Sequence, residues 1–131
     1  MNMRTRKVII VEDEAPLARA LSLKLEKTGF DVVVVPNGEE FLSEFDEKEF
    51  DLIILDLMMP LVDGFKVLEW LKERENIIPV FVLSNLGQTD DIVKAKELGA
   101  DEYFVKSNTP LKDIIDSVEN VFNRKVKIKV K

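Results

Sequence analysis

The chain has 131 residues, 46% apolar and 34% charged, which is enough to bury one core and too short for two. It contains no cysteine and no histidine, which excludes disulfides, thiolate or imidazole metal sites, cysteine nucleophiles and His-dependent triads. The net charge is −6, but residues 124–131 carry five positive charges and no negative one, leaving 14 positive against 25 negative in residues 1–123, a body that repels nucleic acid.

The basic start, Met1 to Arg6, lacks the long apolar run and cleavage site of a signal peptide, and no stretch approaches the roughly 20 apolar residues of a membrane span. A cytoplasmic protein with no membrane contact is expected. The first apolar run is Lys7 to Val11, followed by Val32–Val35, Leu52–Leu55, Val80–Leu83 and Tyr103–Val105. All are short and mostly β-branched or aromatic, as strands buried on both faces are.

Between the runs, apolar residues recur at helical spacing. Leu17, Leu21 and Leu25 form a stripe opened near Pro16 and closed by Gly29. Asn37 to Glu40 reads as a helix cap leading into Phe41, Leu42 and Phe45. Leu68 and Leu71 mark a third helix, and Ile92, Ala95 and Leu98, closed by Gly99, a fourth. A fifth opens at Thr109-Pro110 and carries Leu111, Ile114, Ile115, Val118, Val121 and Phe122. Strict β-α alternation predicts an α/β fold, a doubly wound parallel sheet with helices on both faces; five strands fit the flavodoxin-like order 2-1-3-4-5.

Such sheets bind ligands at the carboxyl ends of their strands. Glu12, Asp13 and Glu14 follow the first run, Asp56 the third, Ser84 the fourth and Lys106 the fifth. Carboxylates brought into one crevice repel, and a hard divalent cation such as Mg²⁺ is the simplest way to hold them together. A Lys ammonium and a Ser hydroxyl opposite would complete a cradle for a phosphoryl group, with Asp56 the central candidate for an acyl-phosphate acceptor. Singly, these residues are ordinary helix-end, turn or solvated side chains.

The chain closely resembles the receiver domain of two-component response regulators over residues 6–123. The resemblance is carried by Val8 to Glu14, by Asp51 to Pro60 with Asp63-Gly64, by Val82-Leu83-Ser84, and by Gly99 to Lys106. It implies that Asp56 accepts a phosphoryl group from a histidine kinase or phosphotransfer partner. Asp13 would then bind Mg²⁺ directly, Glu12 through water, and the Met58 carbonyl would be a further ligand. Lys106 would pair with the phosphoryl oxygens, Ser84 would move to hydrogen-bond one of them, and Tyr103 would be the switch aromatic.

Three departures stand out. Ser107 follows Lys106 where the family commonly has a cis proline, and a cis bond before Ser would cost about 3 kcal/mol, so a trans path is expected. Asn85 stands where the family usually has a small residue, and either narrows access to Asp56 or hydrogen-bonds in its own loop. Met58 and Leu86 occupy positions where many receivers carry polar groups able to orient water, which predicts slow self-dephosphorylation.

Residues 124–131 form a basic tail whose Lys/Val/Ile alternation suits an added strand, or a loose solubilising tail. With the receiver occupying 6–123, output is expected to pass through an unidentified protein, with a homodimer through the strand 4–strand 5 face as a candidate assembly. The competing expectations are a degenerate receiver that takes no phosphate, or a receiver fragment of a larger DNA-binding regulator or hybrid kinase.

Overall fold

A computed structural model describes residues 5–130, with side chains described through residue 123. Met1 to Arg4, on which part of the signal-peptide reasoning rests, lie outside the described residues. Strands and helices alternate: β1 (Lys7–Val11), α1 (Ala15–Lys27), β2 (Asp31–Val35), α2 (Gly38–Glu44), β3 (Leu52–Leu55), α3 (Gly64–Glu73), β4 (Val80–Ser84), α4 (Thr89–Glu97), β5 (Glu102–Val105) and α5 (Leu111–Val130). All neighbouring strands are parallel, in the order 2-1-3-4-5.

The period of two along each strand divides the core. Ile9, Val11, Ile53, Leu55, Val80 and Val82 face the layer holding α2, α3 and α4, where Phe41, Val67, Leu68, Leu71 and Ala95 are buried. Val8, Ile10, Leu52, Ile54, Phe81 and Leu83 face α1 and α5, against Leu21, Leu25, Ile114 and Val118. The inner strands β1, β3 and β4 thus bury both faces, which is why their sequences are continuous apolar runs rather than alternations. The edge strands β2 and β5 depart from that expectation: each has a neighbour on one side only, and their residues are mostly half-buried or exposed.

Local chemistry fixes where the helices begin and end. The Asn37 side chain accepts the Glu40 N–H at 2.8 Å, and the Asp63 side chain accepts the Lys66 N–H at 3.0 Å, each a helix N-cap. Gly29 and Gly99 follow α1 and α4 with φ of +107° and +109°, where a side chain would be strained.

The basic tail departs from expectation. Helix α5 runs on to Val130, so the alternating stretch after Arg124 is neither a strand nor loose chain through that residue. No Gly or Pro interrupts residues 111–130, and the lysines are good helix formers, so the backbone bonds simply continue. The side chains that alternate in this stretch, from Arg124 onward, lie outside the described residues.

Candidate functional site

Every strand of the inner sheet except β2 delivers a functional side chain to one crevice at its carboxyl end. Glu12 and Asp56 sit one residue beyond β1 and β3, Lys106 one residue beyond β5, and Ser84 is the last residue of β4. Parallel pairing brings these ends level: Val11 lies beside Leu55, and Ser84 beside Val105. The Asp56 N–H donates to the Val11 carbonyl (3.0 Å), and the Glu12 N–H to the Val35 carbonyl (3.0 Å), so both backbones extend the ladder.

Glu12, Asp56 and Ser84 are the buried polar side chains of the described chain, and all three are in this crevice. Oxygens of Glu12, Asp13 and Asp56 lie within 4.8 Å of one another. Lys106 faces them: its Nζ lies 3.0 and 3.1 Å from the two Glu12 carboxylate oxygens and 3.2 Å from Asp56 Oδ2. The other Asp56 oxygen, Oδ1, accepts the Met58 N–H at 3.1 Å. The peptide after Lys106 is trans, as expected, since no cis bond occurs among the described residues.

The electrostatics follow from this packing. Burial pushes the Glu12 carboxyl up to about 7; the Glu14 N–H and Lys106 oppose that rise, and the nearby Asp56 charge adds to it. For Lys106, burial alone would favour the neutral amine, but hydrogen bonds to Glu14 and Glu12 and the Asp56 charge outweigh it and hold the ammonium above the ordinary lysine range. Burial also raises the Tyr103 hydroxyl, helped by Asp91 and opposed by a hydrogen bond with Ser84.

The donor set suits a hard divalent cation. Three carboxylates converge with no nitrogen or sulfur ligand among them, and one of them, Glu12, resists ionising where it stands. Neutralising that concentrated negative charge is what Mg²⁺ would do here.

Ser84 Oγ accepts the Leu86 N–H at 3.2 Å, and the Tyr103 hydroxyl donates to the Leu86 carbonyl at 2.6 Å. Tyr103 is half-buried with its hydroxyl committed to the β4–α4 loop, not left in water. Asn85 is exposed. Gly64, the first residue of α3, is required by close approach: a Cβ there would fall on the Asp56 carbonyl oxygen and the Leu57 Cα. The Asp63-Gly64 pair thus caps α3 and lets it sit against the loop that carries Asp56.

One participant lies outside the sequence expectations. In the sequence Glu14 is simply part of an acidic run, yet its Oε2 is the nearest oxygen to Lys106, at 2.7 Å. The run itself was the only signal available, because the two residues are 92 positions apart.

Comparison with known proteins agrees with this geometry. Residues 8–119 match the response regulator receiver domain family. The chain is 37% identical over 122 residues to the probable transcriptional regulator ycf27 of Porphyridium aerugineum, covering 93% of this chain and 50% of that protein. It spans about half the length of the curated relatives it matches. Among solved structures, the receiver domain of Francisella response regulator 1452 superposes with a TM-score of 0.82 at 27% identity, over 92% of this chain and 99% of that one. The BeF3-activated N-terminal receiver domain of RstA from Klebsiella pneumoniae gives 0.80 at 27% identity, over 87% and 96%. With sequence, sheet order and the acidic crevice in agreement, the chain belongs to the receiver domains of two-component response regulators.

Proposed function

We propose that Asp56 is the phosphoacceptor, taking a phosphoryl group from the phosphohistidine of a sensor histidine kinase or a phosphotransfer protein. The observation that carries this reading is the position of Asp56, 3.2 Å from Lys106 Nζ and within 4.8 Å of the Glu12 and Asp13 oxygens. A carboxylate oxygen of Asp56 attacks phosphorus, the P–N bond breaks, and its electron pair leaves with the imidazole, which takes up a proton. Lys106 offsets charge on the phosphoryl oxygens from a site already fixed by its neighbours. Asp13 and Asp56, Glu12 through water, and the Met58 carbonyl would hold Mg²⁺, which when bound neutralises charge on the transferring group. The chain is then a signalling domain that catalyses only its own phosphorylation and dephosphorylation.

The switch runs through the β4–α4 loop. Ser84 gives up its bond with the Leu86 N–H to donate to a phosphoryl oxygen, and Tyr103, whose hydroxyl holds the Leu86 carbonyl, repositions with that loop. The β4–β5 side of the molecule, including Tyr103, is the surface offered to an output protein or to a second copy of the chain. We take residues 6–123 as the receiver and 124–131 as a basic extension, whose backbone continues helix α5 through Val130. The protein acts in the cytoplasm, where kinases draw on ATP. No helix among the described residues is long and apolar enough to cross a membrane.

Incubation with acetyl phosphate and Mg²⁺, followed by intact mass, tests this reading. A gain of one phosphoryl group is expected, and Asp56→Asn should abolish it; a wild-type chain that gains nothing is a degenerate receiver. Met58 and Leu86 line one apolar groove beside Asp56 and offer no polar atom on their side chains to orient water, so a long acyl-phosphate lifetime is expected. A lifetime at the short end for receivers would contradict that assignment.

A further inference from the structure

We propose that Glu14 is a positioning residue that holds Lys106 in the resting chain and is the ligand Lys106 gives up when a phosphoryl group arrives on Asp56. The inference rests on Asp56 being the phosphoacceptor. An ammonium has three N–H donors. Here all three are engaged, by Glu12 Oε2 at 3.1 Å, Glu14 Oε2 at 2.7 Å and Asp56 Oδ2 at 3.2 Å. A phosphoryl oxygen can gain a hydrogen bond from Lys106 only if one of these contacts is released.

Burial decides which one. The Glu12 and Asp56 side chains are each 3% exposed, whereas Glu14 is 52% exposed. A freed Glu12 side chain would stay buried in the crevice, where little water can replace the lost hydrogen bond. Freed Glu14 swings into water, where it is solvated at little cost. Asp56 stays bonded to the phosphoryl group itself.

The local geometry leaves Glu14 available for this contact. It is the N-cap residue of α1, and its side chain makes no cap bond, as suits a glutamate, which is longer than the Asp, Asn, Ser or Thr that favour that position. It reaches across to Lys106 instead, while its own N–H donates to Glu12 Oε2 at 3.0 Å. Glu14 therefore ties the start of α1 to the residue after β5, and this tie opposes the phosphorylated state.

Removing the contact should favour that state. With Mg²⁺ saturating, beryllofluoride binding followed by amide NMR should tighten about threefold to fivefold in Glu14→Gln, the scale of a single half-exposed ion pair. Glu14→Asp separates contact from charge: it keeps the negative charge but is one methylene too short for a 2.7 Å contact. It should match Glu14→Gln.

Unchanged or weaker binding in both variants overturns the proposal, since Glu14 would then be neutral or a support. So does tighter binding in Glu14→Gln with wild-type behaviour in Glu14→Asp, which would mean that only the charge matters. Failure of the phosphoacceptor reading appears separately, as wild-type chain that gains no phosphoryl group from acetyl phosphate.

Discussion

The two ends of the sheet are both lined with carboxylates, and they use them in opposite ways. At the amino end, Asp51 Oδ2 accepts the Lys7 N–H and Asp101 Oδ2 accepts the Val80 N–H, each at 2.8 Å. Each of these acids bridges the start of one strand to the start of its neighbour, giving a strand-end N–H the acceptor it needs. At the carboxyl end, Glu12 and Asp56 are buried side by side and share a single ammonium, and Glu12 is pushed up to about 7. The same residue type closes the backbone at one end and stores electrostatic stress at the other. That stress is the condition for binding a cation and a phosphoryl group.

The largest way to break this contrast is at Gly64. Glu12 and Asp56 remain chemically intact in Gly64→Ala, but the new methyl meets the backbone of Asp56 and Leu57, which cannot swing aside. A loss of about 2–4 kcal/mol in urea unfolding is expected, with slower phosphorylation from the displaced Asp56 loop. Unaltered stability would mean that α3 can retreat without cost.

The pH dependence sharpens the comparison next. Glu12 has its carboxyl raised from 4.5 to about 7 in the folded chain, so the folded state binds the extra proton between those values. Stability from this group is fully present below pH 4.5 and is lost as pH rises through 7, by up to about 3 kcal/mol. Urea unfolding of the metal-free protein at pH 5 and pH 8 should show that fall, and Glu12→Gln should flatten it. A wild-type slope in the variant would place the effect elsewhere.

The smallest effect belongs to the opposite end. Asp101→Ala leaves the Val80 N–H without its carboxylate acceptor and should cost about 1–3 kcal/mol. Unlike Gly64→Ala, it should leave the rate of phosphorylation from acetyl phosphate unchanged, since Asp101 lies at the far end of β5 from Lys106. A changed rate would show that the two ends are coupled through the sheet.

Much of the site is legible in the sequence because the fold turns position into proximity. A residue one step beyond a buried strand in a parallel sheet must emerge at the same edge as its counterparts, so Glu12, Asp56 and Lys106 could be grouped from the apolar runs alone. The boundaries shifted little: Asp31, Ser84 and Glu102 join strands expected to start or stop one residue away. Glu14 was not legible as a partner of Lys106, because an acid at a helix start is most simply read as completing the helix dipole. The tail departs from both of its sequence expectations, an added strand or a loose chain, for a related reason. Alternation in Lys125 to Lys131 matches a strand period, but the preceding turns of α5 already supply the hydrogen-bond partners that carry a helix onward.

The amino-acid order alone determined the alternating elements, the two-faced burial of the inner strands β1, β3 and β4 and the set of acids, hydroxyl and amine at the strand ends. Those follow from local periodicity, which a linear pattern carries in full. Only the tertiary structure decided how one ammonium is divided among three carboxylates, which of them is open to water, and that the Tyr103 hydroxyl is held by the Leu86 carbonyl. Those depend on distances between residues far apart in the chain, and hydrogen bonding and burial are set by such distances rather than by residue type.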